Sequence, residues 1–202
     1  MLIRATVIEE LADLLKSATV VAPLGNTVRE LYAIAESPST FYLLGSMGMP
    51  VPVALGLAMG HSGTVIALEG DGGCLTNMGS LATAARYAPG NLKIVILDNG
   101  AYESTGGQPT HSHAGTSFVD VARGCGIKAA REVRDETDLA DLPNWLALPG
   151  LRLAVVKTVI AETSFPRVPL APPDIFRRVR EHLAQTGSAA AGSIGNGSVC
   201  PK

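Results

Sequence analysis

Cysteine and long apolar runs are scarce in this sequence, and each shortage excludes a class of protein. The three cysteines, Cys74, Cys125 and Cys200, lie far apart with no CxxC pair, so neither a disulfide framework nor a zinc or iron–sulfur site is indicated. The most apolar run, residues 51–59, contains a proline and a glycine and is too short to cross a bilayer. We therefore expect no membrane partner.

Charge of either sign is also sparse. A net charge of −2 over 202 residues provides no basic surface for nucleic acid. With 47% hydrophobic residues, the chain has the composition of one ordinary globular domain with a sizeable core. Residues 1–4 pass directly into an amphipathic segment with acidic residues, which is unlike a signal peptide. The expected location is cytoplasmic.

Strand-like and helix-like segments alternate along the chain. This order predicts an α/β protein, a three-layer α/β/α sandwich with a mostly parallel central sheet and ligands at the carboxyl ends of the strands. We expect the folded domain to span residues 1–185 and the Gly-, Ser- and Ala-rich residues 186–202 to be disordered. The predicted strands are 19–22, 41–44, 65–68, 92–97, 127–130 and 151–160, and the predicted helices are 6–17, 27–36, 53–59, 76–87, 118–124, 135–146 and 174–184.

Two polar clusters follow neighbouring predicted strands. A Gly-Asp-Gly triplet stands at 70–72, and Asp98-Asn99-Gly100-Ala101 follows the strand at 92–97. The Asp71 carboxylate, the Asn99 amide and a backbone carbonyl of the second loop are hard oxygen ligands that suit octahedral magnesium. The glycines let the backbone approach an anion near the start of the next helix. The pattern predicts a metal–diphosphate site, although the triplet alone is also typical of an ordinary turn.

A third segment, Gly45-Ser46-Met47-Gly48, lies upstream. With it, the two polar clusters resemble the diphosphate-binding domain of thiamine-diphosphate enzymes. Inside that family, residues 41–48, 79–83 and above all 98–110, which read DNGAYESTGGQPT, are similar to the beta subunit of sulfopyruvate decarboxylase and the matching half of phosphonopyruvate decarboxylase. The resemblance covers residues 20–130. The family pair is often Asn-Asn, and here its first member is Asp98.

The resemblance implies thiamine diphosphate and Mg²⁺ as cofactors. Asp71, Asn99 and the Ala101 carbonyl would hold the metal, Met47 would force the bent cofactor conformation, and the Gly45 carbonyl would accept a hydrogen bond from the aminopyrimidine. The further residues expected to contact the cofactor are Gly25, Asn26, Ser46, Gly70, Gly72, Gly73, Cys74 and Tyr102, and those expected to contact the substrate are Ser104, Thr105, Gln108 and His111.

The resemblance also implies a two-chain enzyme. The activating glutamate of the family belongs to a pyrimidine-binding domain, and this chain has no room for one, so no catalytic residue is assigned here. We expect a decarboxylase subunit acting on a small 2-oxo acid, 3-sulfopyruvate by preference, with a separate alpha subunit and further oligomerisation. The alternatives are a phosphonopyruvate decarboxylase, another 2-oxo acid decarboxylase or lyase subunit, and a non-catalytic cofactor-binding subunit.

Several single residues keep more than one interpretation. Cys74 could be a reactive thiol or a small buried side chain, and Glu103 an acid or base near the cofactor or an exposed loop carboxylate. His111 and His113 could bind a metal, face the substrate or be solvated. Asn26 could cap the following helix or contact the distal phosphate.

A dinucleotide-binding domain would need GxGxxG after the first strand, which is absent there. A subunit of a ferredoxin-linked 2-oxoacid oxidoreductase would usually carry cluster-binding cysteines, and this sequence has no such set of cysteines.

Overall fold

A parallel sheet forms the middle of the computed structural model, which describes residues 1–161 and 164–186. Every pairing in this seven-stranded sheet is parallel, as predicted. A separate two-stranded antiparallel hairpin lies apart from it. The strands of the large sheet are β1 (Leu2–Ile3), β2 (Thr19–Ala22), β3 (Thr40–Tyr42), β4 (Val65–Gly70), β5 (Leu92–Asp98), β8 (Ala129–Val133) and β9 (Arg152–Val159), and the hairpin strands are β6 (Ala101–Tyr102) and β7 (Gln108–Pro109).

Helices cover both faces of the sheet, so the predicted three-layer sandwich is confirmed. Strand β4 shows the alternation directly, because Ile66 and Leu68 join one apolar core and Val65 and Ala67 the other. The helices α1 (Arg4–Glu10), α2 (Ala12–Ser17), α3 (Asn26–Ala35), α8 (Glu136–Ala147) and α9 (Pro172–Thr186) contribute to the first core, and α4 (Pro50–Gly60), α5 (Asp71–Thr76), α6 (Gly79–Tyr87) and α7 (Phe118–Gly124) to the second.

The strand order places a crevice in the sheet. It runs β1-β9-β5-β4-β2-β3, with β8 also paired to β9. From β2 the chain goes outward to β3 and then returns to β4 on the other side of β2. The loops after β2 and β4 therefore lead to helices on opposite faces, α3 in the first core and α5 in the second. Such a reversal of strand order is where open parallel sheets bind ligands.

The local predictions failed mainly at element boundaries. The helix expected over 6–17 is two helices separated at Leu11. The strand expected at 127–130 begins at Ala129, and β1 was missed because two residues show no periodicity. The loop after Ala101 is not wholly irregular, since it contains the β6–β7 hairpin.

No helix in the described part of the chain is long and apolar enough to span a membrane. The tail expected to be disordered lies outside the described residues, except that Thr186 is the last residue of α9.

Candidate metal and cofactor site

A cleft opens at the carboxyl ends of β2, β4 and β5, where the strand order reverses. Four of the predicted contact residues, Gly45, Cys74, Gln108 and His111, do not line it. The remaining predicted residues do, and they are Gly25, Asn26, Ser46, Met47, Gly70, Asp71, Gly72, Gly73, Asn99, Ala101, Tyr102, Ser104 and Thr105. The structure thus brings the three sequence segments into one wall, as the cofactor hypothesis requires.

Asp71 supplies the only carboxylate of the predicted ligand set. Its side chain is buried and accepts a hydrogen bond at Oδ2 from Thr110 Oγ1, at 2.6 Å, while Ser112 Oγ lies 3.3 Å from the same oxygen. Burial raises the pKa of Asp71, and the Thr110 hydrogen bond opposes that rise. Because these two neighbours are neutral hydroxyls, neither compensates the charge of the ionised carboxylate, which a bound cation would do.

The other two predicted ligands share one turn after β5. Asn99 Nδ2 donates to Glu103 at 3.0 Å, and the Ala101 backbone N–H donates to Asn99 Oδ1 at 3.0 Å. Ala101 pairs with Pro109 in the hairpin, and in the neighbouring pair the Thr110 N–H donates to the Gly100 carbonyl at 2.9 Å. Because hydrogen-bonded and non-hydrogen-bonded pairs alternate in an antiparallel ladder, the Ala101 carbonyl is directed away from the partner strand. A carboxylate, an amide oxygen and a backbone carbonyl therefore line one cleft, and this all-oxygen set fits Mg²⁺.

The triplet at 70–72 differs from the prediction in its local structure. The helix expected to start at residue 76 starts at Asp71, with Gly70 as its N-cap. It ends at Thr76, and a second helix, α6, begins at Gly79. Asn77 produces this break, because it leaves helical geometry and its side chain donates to the Gly48 carbonyl at 3.0 Å.

Two glycines have no room for a side chain. At Gly48, where φ is +81°, a Cβ would lie 2.8 Å from the Asn77 Cβ. At Gly72, a Cβ would lie 2.7 Å from Tyr102 Cδ1 and 3.4 Å from Met47 Cε. Tyr102 and Met47 therefore pack directly over the triplet backbone. The glycines are required by packing between the three segments, in addition to any approach of a phosphate.

Asp98 is a second buried carboxylate near the predicted metal ligands. Ser112 Oγ donates to its Oδ1 at 2.7 Å, and Lys157 Nζ lies 2.5 Å from its Oδ2. The Ser112 hydroxyl thus lies between Asp98 and Asp71. Sequence reasoning assigned no role to Thr110, Ser112 or Lys157, because only the fold brings them to these carboxylates.

Glu103 is not the exposed loop carboxylate that was one of its two interpretations. Arg4 Nη1 donates to its Oε2 at 2.7 Å, and Asn26 Nδ2 donates to its Oε1 at 3.0 Å. Burial works to raise the pKa of Glu103, but the Arg4 guanidinium outweighs it and the pKa lies below its usual range. Asn26 does not cap α3, whose N-cap is Gly25 with no side-chain hydrogen bond.

Glu69 is a cleft residue that the sequence analysis missed. It lies at the end of β4 with 2% of its surface exposed, and burial raises its pKa to about 8. The Gly70 N–H donates to Oε1 at 3.1 Å, while Oε2 has no hydrogen-bond partner among the described residues. The sequence did contain a signal for this residue, because Glu69 is a charged residue near the end of an apolar strand, directly before the triplet at 70–72.

The structure also bears on the interpretations of Cys74, His111 and His113. Cys74 is buried and burial raises the pKa of its thiol, which opposes a reactive thiolate. His111 and His113 are exposed and lie outside the cleft lining. In residues 1–161 and 164–186, no three His, Cys, Asp or Glu side chains are grouped to hold a metal.

The chain is similar to a known protein family and to several known proteins. Residues 24–147 match the family described as thiamine pyrophosphate enzyme, C-terminal TPP binding domain. A phosphonopyruvate decarboxylase of Streptomyces hygroscopicus is 38% identical over 192 residues, which are 93% of this chain and 47% of that protein. The sulfopyruvate decarboxylase subunit beta of Methanothermobacter thermautotrophicus is 38% identical over 178 residues, 88% of this chain and 94% of that protein.

The chain therefore spans about half the length of the first relative and nearly all of the second. A solved structure from Mycobacterium smegmatis, assigned as a thiamin diphosphate-dependent enzyme, superposes with a TM-score of 0.65 at 26% identity. That match covers 79% of this chain and 32% of the other. The resemblance predicted from the motifs is confirmed. The chain belongs to the thiamine pyrophosphate enzymes, through their C-terminal domain that binds thiamine diphosphate.

Proposed function

We propose that this chain is the diphosphate-binding subunit of a thiamine-diphosphate-dependent 2-oxo acid decarboxylase, a carboxy-lyase. Asp71, Asn99 and the Ala101 carbonyl hold Mg²⁺, which anchors the diphosphate. The observation that carries the proposal is the meeting of these three oxygen donors in one cleft at the reversal of strand order.

The chain's own residues bind and orient the cofactor. When bound, thiamine diphosphate supplies the nucleophilic carbon and the electron sink for loss of carbon dioxide. Met47, at the cleft wall beside Tyr102 and Gly72, supports the bent conformation. Ser46 lies next to it with φ of +59°, a left-handed backbone conformation that costs about 1–3 kcal/mol and is common at ligand sites.

A pyrimidine-binding alpha subunit completes the site and supplies the activating glutamate. Two observations support this part of the proposal. The chain covers nearly all of a protein named as subunit beta, yet about half of longer relatives such as the sulfopyruvate decarboxylase of Methanosarcina acetivorans, whose name mentions no subunit. Apolar side chains also remain exposed beside the cleft and along α4, as expected for a surface covered by a partner. They are Leu44, Met47, Met49 and Met59.

The substrate is a pyruvate that carries an acidic group at carbon three. The names of the relatives support a sulfonate or a phosphonate there. The nearly full coverage of a beta subunit favours 3-sulfopyruvate. Ser104 and Thr105 lie at the cleft rim, where their hydroxyl and N–H groups can contact the substrate.

The test is a carbon dioxide release assay on the chain alone, and on the chain mixed with a candidate alpha subunit encoded beside its gene. We expect release only from the mixture, with Mg²⁺ and thiamine diphosphate, and faster from sulfopyruvate than from phosphonopyruvate or pyruvate. Full turnover by the chain alone would contradict the proposal that a second subunit completes the site. Absence of Mg²⁺-dependent cofactor binding, both alone and in the mixture, would contradict the proposed function itself.

A further inference from the structure

Glu103 lies between two amide side chains that come from different loops of the cleft. Its Oε2 accepts from Asn99 Nδ2 at 3.0 Å, and its Oε1 accepts from Asn26 Nδ2 at 3.0 Å. Asn99 follows β5, whereas Asn26 begins α3 after β2. One carboxylate therefore joins the two loops at the crevice.

A carboxylate in this place decides which end of each amide faces the cleft. An asparagine side chain presents an oxygen acceptor on one side and an NH₂ donor on the other. A flipped Asn99 would oppose its oxygen to that of Glu103 and would lose the hydrogen bond. The Ala101 N–H, which donates to Asn99 Oδ1, favours the same orientation. The oxygen end of Asn99 is therefore directed away from Glu103 and remains available as a metal ligand.

Glu103 is itself fixed from the start of the chain. Arg4 Nη1 contacts its Oε2 at 2.7 Å, while Arg4 Nε and Nη2 donate to Glu30 at 2.8 and 2.6 Å. Glu30 is buried on α3. Arg4 therefore connects Glu103 to helix α3.

These contacts leave Glu103 unsuited to proton transfer. Both of its oxygens accept hydrogen bonds, from Arg4 and from the two amides. An acid or base for the reaction would need an oxygen free to reach a substrate proton.

We propose that Glu103 is a positioning residue, which Arg4 holds in place and which orients the Asn99 amide so that its oxygen faces Mg²⁺. The inference rests on the proposed function, because it assumes that Asn99 binds the metal. The proposal also gives Arg4, near the start of the chain, a role at the site, because Arg4 holds Glu103 in place.

The test is Mg²⁺ affinity by calorimetry in the full chain saturated with thiamine diphosphate. Glu103→Gln places an NH₂ group against one of the amides, and we expect Mg²⁺ to bind roughly 10–100-fold more weakly, as when a residue that orients a metal ligand is lost. Glu30→Gln is the matched control, because Glu30 contacts the same guanidinium but neither amide. It should change thermal stability while changing Mg²⁺ affinity much less.

A second background separates orientation from damage to the fold. In Asn99→Asp, both ends of the side chain are oxygens, so no orientation is needed. There, Glu103→Gln should no longer weaken Mg²⁺ binding. Equal weakening in both backgrounds would overturn the proposal, as would wild-type affinity of Glu103→Gln.

Two further variants keep the test decisive. If Glu103→Gln does not fold, Glu103→Asp takes its place, since its shorter side chain cannot reach both amides. Weaker Mg²⁺ binding supports the proposal, and unchanged binding overturns it. The proposed function fails separately, when Asp71→Ala binds Mg²⁺ and cofactor as the wild type does.

Discussion

The two carboxylate clusters at the cleft are built differently. Around Asp71 the partners are the hydroxyls of Thr110 and Ser112. Around Glu103 the partners are a guanidinium and two amides. The first arrangement leaves a carboxylate that a cation can still neutralise, and the second supplies its cation from the protein. The charge of the partners thus distinguishes the proposed metal ligand, Asp71, from the proposed positioning residue, Glu103.

The largest effect is expected from Asp71→Ala, which removes the only carboxylate from the proposed ligand set. We expect Mg²⁺-dependent binding of thiamine diphosphate to fall roughly 100-fold or more, since the remaining ligands are neutral. The cofactor-free protein should lose little stability, because burial raises the pKa of Asp71 and the carboxylate is poorly accommodated there. Calorimetry and urea unfolding measure the two effects. Asp13→Ala, at an exposed position on α2, should change neither.

Glu69 differs from both clusters, because among residues 1–161 and 164–186 it has neither a hydroxyl nor a cationic partner. Burial raises its pKa from 4.5 to about 8, so the folded state favours the protonated form. The stability of the cofactor-free protein should therefore be greatest below about pH 4.5 as far as this group is concerned, and fall as the pH rises toward about 8. Glu69→Gln should remove that part of the pH dependence. Urea unfolding at pH 5, 6.5 and 8 tests it, and an unchanged pH slope in the variant would contradict it.

Lys157→Met tests the ion pair that neutralises Asp98. Removing the cation leaves Asp98 buried without a charged partner. We expect the free energy of unfolding to fall by about 1–3 kcal/mol, below the range for a fully buried pair because Lys157 is partly exposed. Adding Asp98→Asn should recover most of the loss, since the amide carries no charge. A double variant as unstable as Lys157→Met alone would show that Asp98 is not the cause.

Thr110→Val gives the smallest expected effect and probes the hydroxyl cluster itself. The substitution keeps the shape but removes the 2.6 Å hydrogen bond to Asp71. A loss of about 1–2 kcal/mol in the free energy of unfolding is expected without Mg²⁺. With Mg²⁺ and cofactor bound, weaker metal affinity should add to that loss. Thr83→Val, at an exposed position on α6, is the control, and an equal loss of stability there would show that the buried hydrogen bond is not the cause.

Local signals in the sequence identified most of the cleft wall. The GDG triplet, the Asn99 pair and the Gly45–Gly48 segment each follow a strand-like run, and parallel strands end at the same edge of a sheet. Contacts between residues that are far apart in the sequence could not be predicted from local patterns. Glu103 meets Arg4 across 99 positions of sequence, and Asp71 meets Thr110 across 39. A lone arginine near the start of a chain has many possible partners.

Element boundaries were missed for a related reason. The helix after Gly70 was placed late, since glycines are poor helix formers by propensity. Packing of Tyr102 and Met47 over Gly72, and the Asn77 side chain on Gly48, decided where α5 starts and stops. Tertiary contacts override weak local preferences at such positions.

The sequence by itself determined the parallel α/β sandwich and the family, because hydrophobic periodicity and short motifs are local properties of the chain. The tertiary structure alone decided which carboxylates meet hydroxyls and which meet a guanidinium. That choice depends on distances across the crevice, and in a buried site those distances set the charge each group can keep.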